Sequence, residues 1–139
     1  MDIRRLTTVD EMLPHFELVH QLTASLSPEE YATWLAAMIP HNYAMAAAFE
    51  GEACLGLSGY WIGHKLYCGK YLEIDNFVVQ ENARSAGVGK ALLLWMEQEA
   101  RGHGCGVVML DAYVENFKAH RFYYRNGFNA RGFHYLKHL

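Results

Sequence analysis

The apolar and polar positions of the first forty residues predict one short strand and two helices. Residues 3–6 are a candidate first strand, and residues 8–11 provide a helix start that leads into an apolar helical period over residues 12–22. Residues 27–30, Ser-Pro-Glu-Glu, combine a capping serine, a proline at the first helical position and acids in the first turn. A second helix is therefore expected from this point to Pro40.

The middle of the chain reads as three strands. Residues 43–49 and 54–62 are rich in apolar and aromatic side chains and flank Glu-Gly-Glu at residues 50–52, which is a hairpin turn signal. A third strand is expected over residues 71–79, after a turn at residues 63–69.

After residue 79 the expected elements alternate. Helices are expected over residues 87–101 and 116–126, with a strand over residues 107–112 between them. Gly127 suits the position that follows a helix, and residues 128–137 are expected to supply one or two final strands. Strands that first meander and later alternate with helices predict an α/β fold with a mixed central sheet flanked by helices.

Composition limits the class of protein further. The 139 residues suit a single domain over residues 1–139, and a net charge of −3 argues against a nucleic-acid partner. No apolar run is long enough to cross a membrane, and the N-terminus lacks a signal-peptide pattern. Cys54, Cys68 and Cys105 are odd in number and lack the C-x-x-C spacing, so we expect reduced thiols in the cytoplasm and no metal site.

The most informative segment lies where the third long strand gives way to a helix. A polar stretch there is followed by Gly87 and Gly89, which flank one valine and open an apolar helical run. Glycine lets a ligand approach bare backbone, and the first N–H groups of a helix are unpaired and carry the positive end of its dipole. The segment therefore predicts a site for a phosphate or pyrophosphate, with Arg84 adding a positive charge.

Three phosphate-binding patterns compete for this segment. A Walker loop fails because Arg84 stands where its first glycine belongs and Ala91 where Ser or Thr belongs. A dinucleotide fingerprint lacks its third glycine, at Leu92, but Asp111 lies at a plausible distance, so a nucleotide-binding domain stays open. The third pattern, Arg/Gln-x-x-Gly-x-Gly/Ala, is matched throughout by residues 84–89.

That third pattern resembles the pyrophosphate loop of the GNAT superfamily of N-acetyltransferases. Residues 116–128 also resemble the superfamily's Asn-x-x-Ala-x-x-Phe-Tyr-x-x-x-Gly-Phe block, with a match at every named position. The resemblance covers residues 70–130. It implies the GNAT acyl-CoA N-acyltransferase fold and an enzyme that moves an acetyl group from acetyl-CoA to a primary amine of a small molecule or peptide. The alternative is a non-catalytic acyl-CoA-binding sensor or scaffold of the same fold.

The resemblance also implies how the cofactor is held. Backbone N–H groups of the loop would bind the pyrophosphate, Val79 would pair with the pantetheine arm, and the N–H of Phe77 would face the thioester oxygen. Asn116 would contact the coenzyme, although asparagine at a helix start is equally suited to capping. The implied cofactor-binding residues are Val78, Val79, Arg84, Ser85, Ala86, Gly87, Val88, Gly89, Lys90 and Asn116.

The resemblance places the general acid at Tyr123, and Tyr124 competes if the alignment is one residue off. A phenol with a pKa of about 10 is a fair proton source for a thiolate with a pKa of about 8.5. Glu73 occupies the position of a family base, and Asp75 shares its strand face. Deprotonation of the amine through ordered water, without a fixed base, is the alternative.

The acceptor site is expected among the first helices, the turn region and the last strands. An aromatic wall with a few carboxylates suits a small amine, although such residues are more often plain core. The expected partners are acetyl-CoA and an amine acceptor, without nucleic acid or membrane, and a homodimer is allowed. The candidate aromatic and imidazole groups are Tyr31, Trp34, Tyr60, Trp61 and His64.

Overall fold

The computed structural model describes every residue from Met1 to Leu139. Its contacts divide the chain into two compact units, residues 1–109 and residues 110–139. The expectation of a single domain stays a prediction. In chain order the elements are β1 (Asp2–Leu6), α1 (Val9–Met12), α2 (Phe16–His20), α3 (Pro28–Met38), β2 (Tyr43–Glu50), β3 (Ala53–Lys65), β4 (Gly69–Val79), α4 (Val88–Gly102), β5 (Val107–Leu110) and α5 (Phe117–Arg125).

The five strands form one sheet in the order β1-β2-β3-β4-β5. The first four strands pair antiparallel with their sequence neighbours. β4 and β5 are also neighbours, but α4 connects them, and a helical crossover of this kind joins parallel strands. The sheet is therefore mixed and flanked by helices, as predicted.

Each face of the sheet buries its own set of side chains. Met45 and Leu57 belong to the core cluster that packs with α1, α2 and α3. The alternate positions point the other way, and the ring of Tyr60 meets that of Trp95 on α4 with centroids 5.8 Å apart. On this second side Leu92 and its neighbours on α4 are fully buried. None of the helices has the length and apolar character needed to cross a lipid bilayer.

The helix predicted over residues 12–22 is interrupted. α1 ends at Met12, a 3₁₀ turn spans Leu13–His15, and α2 begins at Phe16. Pro14 is the physical reason, because it has no N–H to donate and its ring clashes with the preceding turn of an α-helix. The prediction of one continuous helix was therefore wrong.

The start of α3 follows the sequence signal. Ser27 accepts a hydrogen bond from the N–H of Glu30 at 3.1 Å, and the Glu30 carboxylate accepts one from the N–H of Ser27 at 3.0 Å. This reciprocal pair is a capping box, which satisfies two N–H groups that the helix itself leaves unpaired.

The strands expected over residues 128–137 are absent. Residues 128–139 form neither helix nor strand, although Phe133, Tyr135 and Leu136 are side chains of the kind found in strands. Suitable side chains alone do not make a strand, because the backbone also needs a ladder partner for its N–H and C=O groups. The expectation of final strands was therefore wrong.

A buried carboxylate ties α4 to the sheet. The Glu99 side chain is 3% exposed and accepts a hydrogen bond from Arg5 Nε on β1 at 2.8 Å. It also accepts one from the Tyr60 hydroxyl on β3 at 3.2 Å, and His103 Nε2 lies 2.8 Å from its other oxygen. Burial, followed by the charge of Glu99, raises the pKa of Tyr60, so its hydroxyl stays protonated and donates.

We predict that Glu99→Ala lowers the free energy of unfolding by about 1–3 kcal/mol, because the buried Tyr60 hydroxyl loses its acceptor. The matched control is Glu97→Ala on the same helix, whose pair with Arg101 is loose at 3.7 Å. That control should change the free energy by no more than about 0.5 kcal/mol. Urea unfolding of both variants measures the difference, and equal losses would contradict the role given to Glu99.

Candidate active site

The predicted pyrophosphate loop is anchored at both of its ends. Gln80, just after β4, donates from Nε2 to the Cys54 carbonyl at 2.7 Å, and Ala83 is buried. Val88, the first residue of α4, is 1% exposed. Between these anchors residues 84–87 are exposed. The loop therefore presents a short stretch of backbone to solvent from a fixed base.

The start of α4 has the geometry of an anion site. Gly87 precedes the helix with a φ of +78°, a left-handed conformation that glycine adopts without strain. Its carbonyl accepts the first helical hydrogen bond, from Ala91 N–H at 3.0 Å. No side chain caps the helix and its first turn holds no acid. The N–H groups of Val88, Gly89 and Lys90 in that first turn therefore favour a negative ligand.

Arg84 lies on the exposed side of this loop. Its Nε donates to the Val79 carbonyl at 3.4 Å, a long hydrogen bond that draws the side chain back towards the end of β4. Ser85 and Ala86 are exposed beside it, whereas the side chain of Val78 is buried in the core. Any contact of Val78 with a ligand would therefore come from its backbone.

β4 contains one residue more than β3 just before the loop. Leu57 pairs with Val78, but Gly59 pairs with Asp75, so one residue of β3 stands opposite two residues of β4. Such a β-bulge bends the strand and redirects its side chains. The residues of the bulge are Ser58 on β3 and Asn76 and Phe77 on β4.

Asn76 holds the bulge in place. It has a φ of +57°, one of only two non-glycine residues with a positive φ, and its Oδ1 accepts a hydrogen bond from the Tyr43 hydroxyl at 3.0 Å. Burial first, and then the charge of Asp75, raises the pKa of Tyr43 well above its usual range, so this hydroxyl stays a donor. The Tyr43 ring lies over Gly59, where a Cβ would come within 2.6 Å of Tyr43 Cζ.

The two candidate carboxylates share a face of β4 but differ in surroundings. Asp75 accepts a hydrogen bond through Oδ2 from Trp61 Nε1 at 3.0 Å. The Trp61 ring in turn packs against Tyr43 with centroids 4.9 Å apart. Glu73 stands opposite Trp61 in the strand register and is half-buried. Asp75 is therefore oriented by an aromatic pair.

A cavity of about 190 Å³ opens beside the bulge, between the sheet and the first helices. Asp75 and Asn76 form part of its wall, and Glu73 does not. Trp34 on its rim is 52% exposed, so the cavity reaches solvent. Apolar and aromatic side chains line the rest of it, among them Val19, Leu26, Tyr31, Leu35, Met38 and Met45.

The expected aromatic acceptor residues divide into two groups. Tyr31 and Trp34 line the cavity, and Trp61 orients Asp75. Tyr60 points instead towards α4, and His64 is exposed at the end of β3. Successive side chains of a strand point to opposite faces of the sheet, so Tyr60 and Trp61 on β3 cannot line the same cavity.

Asn116 belongs to the second unit and caps α5. Its Oδ1 accepts a hydrogen bond from Ala119 N–H at 3.2 Å, three residues on. The capping role considered for this asparagine is thereby confirmed, and its coenzyme contact stays a prediction. At the other end of α5, Gly127 has a φ of +89° and ends the helix as expected.

The two candidate acids on α5 differ in exposure. Tyr124 is 57% exposed, whereas Tyr123 is half-buried and makes edge-on ring contacts with Phe122 and Phe128 at 5.4 and 5.6 Å. Burial raises the pKa of Tyr123 to about 12. Tyr123 therefore lies in a more enclosed setting than Tyr124, and the choice between them as proton donor stays a prediction.

Sequence reasoning missed the bulge in β4 and the contact of Tyr43 with Asn76 and Gly59 that accompanies it. Asn76, Tyr43 and Gly59 were read as ordinary strand positions. A signal was present, because asparagine is enriched among residues with a positive φ and glycine within a strand marks a bulge or a close approach. Elsewhere in the chain, no three His, Cys, Asp or Glu side chains come together as a metal site, and Cys54, Cys68 and Cys105 are all free thiols.

Comparison with known proteins gives this geometry a family. The sequence model described as "Acetyltransferase (GNAT) family" matches residues 9–128. An uncharacterised N-acetyltransferase of Bacillus subtilis, YhdJ, is 30% identical over 87% of this chain and 86% of its own length. An aminoalkylphosphonate N-acetyltransferase of Salmonella typhimurium is 28% identical over 99% of this chain and 91% of its own.

A solved structure confirms the fold independently. The aminoglycoside N-acetyltransferase AAC(6')-Iy in complex with CoA superposes with a TM-score of 0.84, over 99% of this chain and 95% of that one, at 20% identity. Fold, family and enzyme class agree with the expectations drawn from the loop at residues 84–89 and the block at residues 116–128. The chain belongs to the GNAT family of acetyltransferases and is an N-acetyltransferase.

Proposed function

We propose that the chain moves the acetyl group of acetyl-CoA to a primary amine of a small molecule or peptide by direct attack. The nitrogen of the neutral amine forms a bond to the thioester carbonyl carbon, and the C–S bond breaks. The nitrogen loses one proton as the amide forms, and the departing thiolate gains one. The observation that carries this proposal is the uncapped start of α4, with Gly87 in a left-handed conformation, at the end of the loop that follows the bulged strand β4.

The donor is proposed to bind along the end of β4 and the loop. The N–H groups of Val88, Gly89 and Lys90 would hold the pyrophosphate, and Arg84 would add a charge beside it. The exposed residues Ser85 and Ala86 allow close approach, and Gly87 supplies the turn. Acetyl-CoA is the acyl donor that family membership supports.

The acyl end of the donor is proposed to reach the bulge. The Phe77 N–H would donate to the thioester oxygen as it gains negative charge, and backbone groups of Val78 and Val79 would align the pantetheine arm. An oriented donor of this kind contributes about 10²–10³ in rate. The bulge supports this proposal because an irregular strand changes the direction of its backbone donors.

Proton transfer is assigned to two residues. Tyr123 would protonate the leaving thiolate. Its raised pKa of about 12 makes it a weaker acid than a solvent-exposed phenol, so this role depends on close positioning beside the sulfur as negative charge develops there. Glu73 would take the proton of the amine, directly or through ordered water.

No observation favours the non-catalytic sensor or the nucleotide-binding alternative. The unpaired cysteines support a cytoplasmic location. A homodimer stays a prediction.

We predict that CoA at about 100 times its dissociation constant stabilises the protein by about 2.7 kcal/mol against thermal unfolding, whereas ATP and NAD do not. Gly89→Leu should abolish this stabilisation because the side chain fills the place of the pyrophosphate. The matched control is Gly102→Leu at the other end of α4, where a Cβ meets nothing within 4 Å. A folded Gly89→Leu protein that binds CoA normally would disprove the loop assignment.

We predict that Tyr123→Phe lowers kcat by about 10²–10⁴ with little change in the KM for acetyl-CoA, since only a hydroxyl is removed. Tyr124→Phe, one position further round the helix, should be nearly silent. Steady-state thiol release measures both variants.

The pH dependence of kcat provides a second test of Tyr123 as the general acid. A phenol with a pKa of about 12 is fully protonated up to about pH 10, so the wild-type profile should show no alkaline loss from Tyr123 below that pH. Tyr123→Phe should therefore lower the whole profile without changing its shape. If neither tyrosine variant slows the reaction, the thiolate leaves unassisted.

A further inference from the structure

The cavity beside the bulge has one charged group and no cation in its wall. Asp75 is that group, and the other side chains with polar atoms carry hydroxyls (Thr23, Tyr31 and Tyr43), an amide (Asn76) or an indole N–H (Trp34). No Lys, Arg or His lines the cavity. A ligand carrying phosphate, phosphonate or carboxylate would face Asp75 there without a counter-charge, which is unfavourable in an apolar setting.

Asp75 is oriented to receive a cation. Its Oδ2 is engaged by Trp61 Nε1, and no protein group donates to its Oδ1. An ammonium group supplies the hydrogen bonds that this oxygen lacks, and such charge-assisted bonds are stronger than neutral ones. The aromatic pair of Trp61 and Tyr43 fixes the carboxylate in advance, so little freedom is lost on binding.

The remaining space is sized for a compact apolar group. An apolar cavity of about 150 Å³ is enough to hold benzene. The volume of about 190 Å³ therefore accommodates one ring with a short chain. The walls suit a ring, since Tyr31 and Trp34 are aromatic and Leu35 is fully apolar.

The cavity also lies where an acceptor is needed. Asp75 and Asn76 immediately precede Phe77, whose N–H is the proposed partner of the thioester oxygen. An amine held at Asp75 would therefore stand two residues along the strand from the proposed position of the acyl carbonyl. At about 3.3 Å of rise per residue, Asp75 and Phe77 are roughly 7 Å apart along β4, so the nitrogen needs to move only a few ångströms from Asp75 to reach the carbonyl carbon.

We infer that the acceptor is a primary alkylamine bearing an aromatic or similarly compact apolar group, and that Asp75 selects it by binding its ammonium form. The inference rests on the proposed acetyl transfer. Once the ammonium has lost a proton to the base or to water, the same nitrogen attacks the thioester. Asp75 thus acts as a specificity residue, and acceptors with an anion near the amine are rejected.

Two amines that differ by a single carboxylate test this inference. 2-Phenylethylamine has the ring, the chain and the amine, and phenylalanine adds only a carboxylate beside the nitrogen. With acetyl-CoA as donor and thiol release as the readout, we expect kcat/KM for 2-phenylethylamine to exceed that for phenylalanine by at least about 100-fold. 2-Aminoethylphosphonate, an amine with an anion and no ring, should be as poor as phenylalanine.

Asp75→Asn keeps the shape and removes the charge. It should raise the KM for 2-phenylethylamine by roughly 10- to 100-fold, as expected for loss of a charged hydrogen bond, while the affinity for CoA stays unchanged. Glu52→Gln in the exposed β2–β3 turn is the matched control for loss of one negative charge and should change neither quantity. Calorimetric titration of 2-phenylethylamine into the CoA complex should show the same ranking of the variants without turnover.

The possible outcomes distinguish an error in the proposed donor site from an error in the inferred acceptor. If CoA fails to bind, the proposed donor site is wrong. If CoA binds but 2-phenylethylamine neither binds nor is acetylated, or if phenylalanine or 2-aminoethylphosphonate is preferred, the inference about the acceptor is wrong and the donor site stands. Equal behaviour of Asp75→Asn and wild type would likewise overturn the role of Asp75.

Discussion

The close approach of Tyr43 to Gly59 governs the arrangement of the site. Because Gly59 has no side chain, the Tyr43 ring lies over β3 and its hydroxyl reaches Asn76 Oδ1 at 3.0 Å. That hydrogen bond accompanies the left-handed backbone of Asn76, which lets β4 place two residues opposite the single Ser58. A side chain at Gly59 would displace the ring and remove this support.

The bulge links two functions that a regular strand would keep apart. On one side, Asp75 and Asn76 turn towards an apolar cavity; on the other, β4 continues into the loop that precedes α4. The acceptor and donor sites are thus proposed to meet at Phe77. The rigid parts of the sheet support this arrangement, since Gln80 and Val88 fix the loop and Glu99 fixes α4 against β1 and β3.

Local chemistry explains which features could be predicted from the sequence. The helix start at Ser27 and the cap at Asn116 depend on neighbours within a few residues, and both were anticipated. The sequence indicated exposed backbone at Gly87 but not its left-handed conformation. Other features join residues that are distant in sequence: the cavity, the Trp61–Asp75 hydrogen bond and the contacts of Glu99. The pattern of apolar and polar residues along the chain therefore does not predict them. The prediction of strands after residue 128 was wrong for the same reason, because a strand needs a neighbouring strand to pair with, and that pairing is a tertiary contact.

A crystal structure of the CoA complex tests the central claim most directly. The account predicts pyrophosphate oxygens within hydrogen-bond distance of the N–H groups of Val88, Gly89 and Lys90. It also predicts that the coenzyme sulfur lies beside Phe77, with the bulge at Asn76 intact. A coenzyme bound elsewhere on the chain, or a β4 that becomes regular when CoA binds, would contradict it.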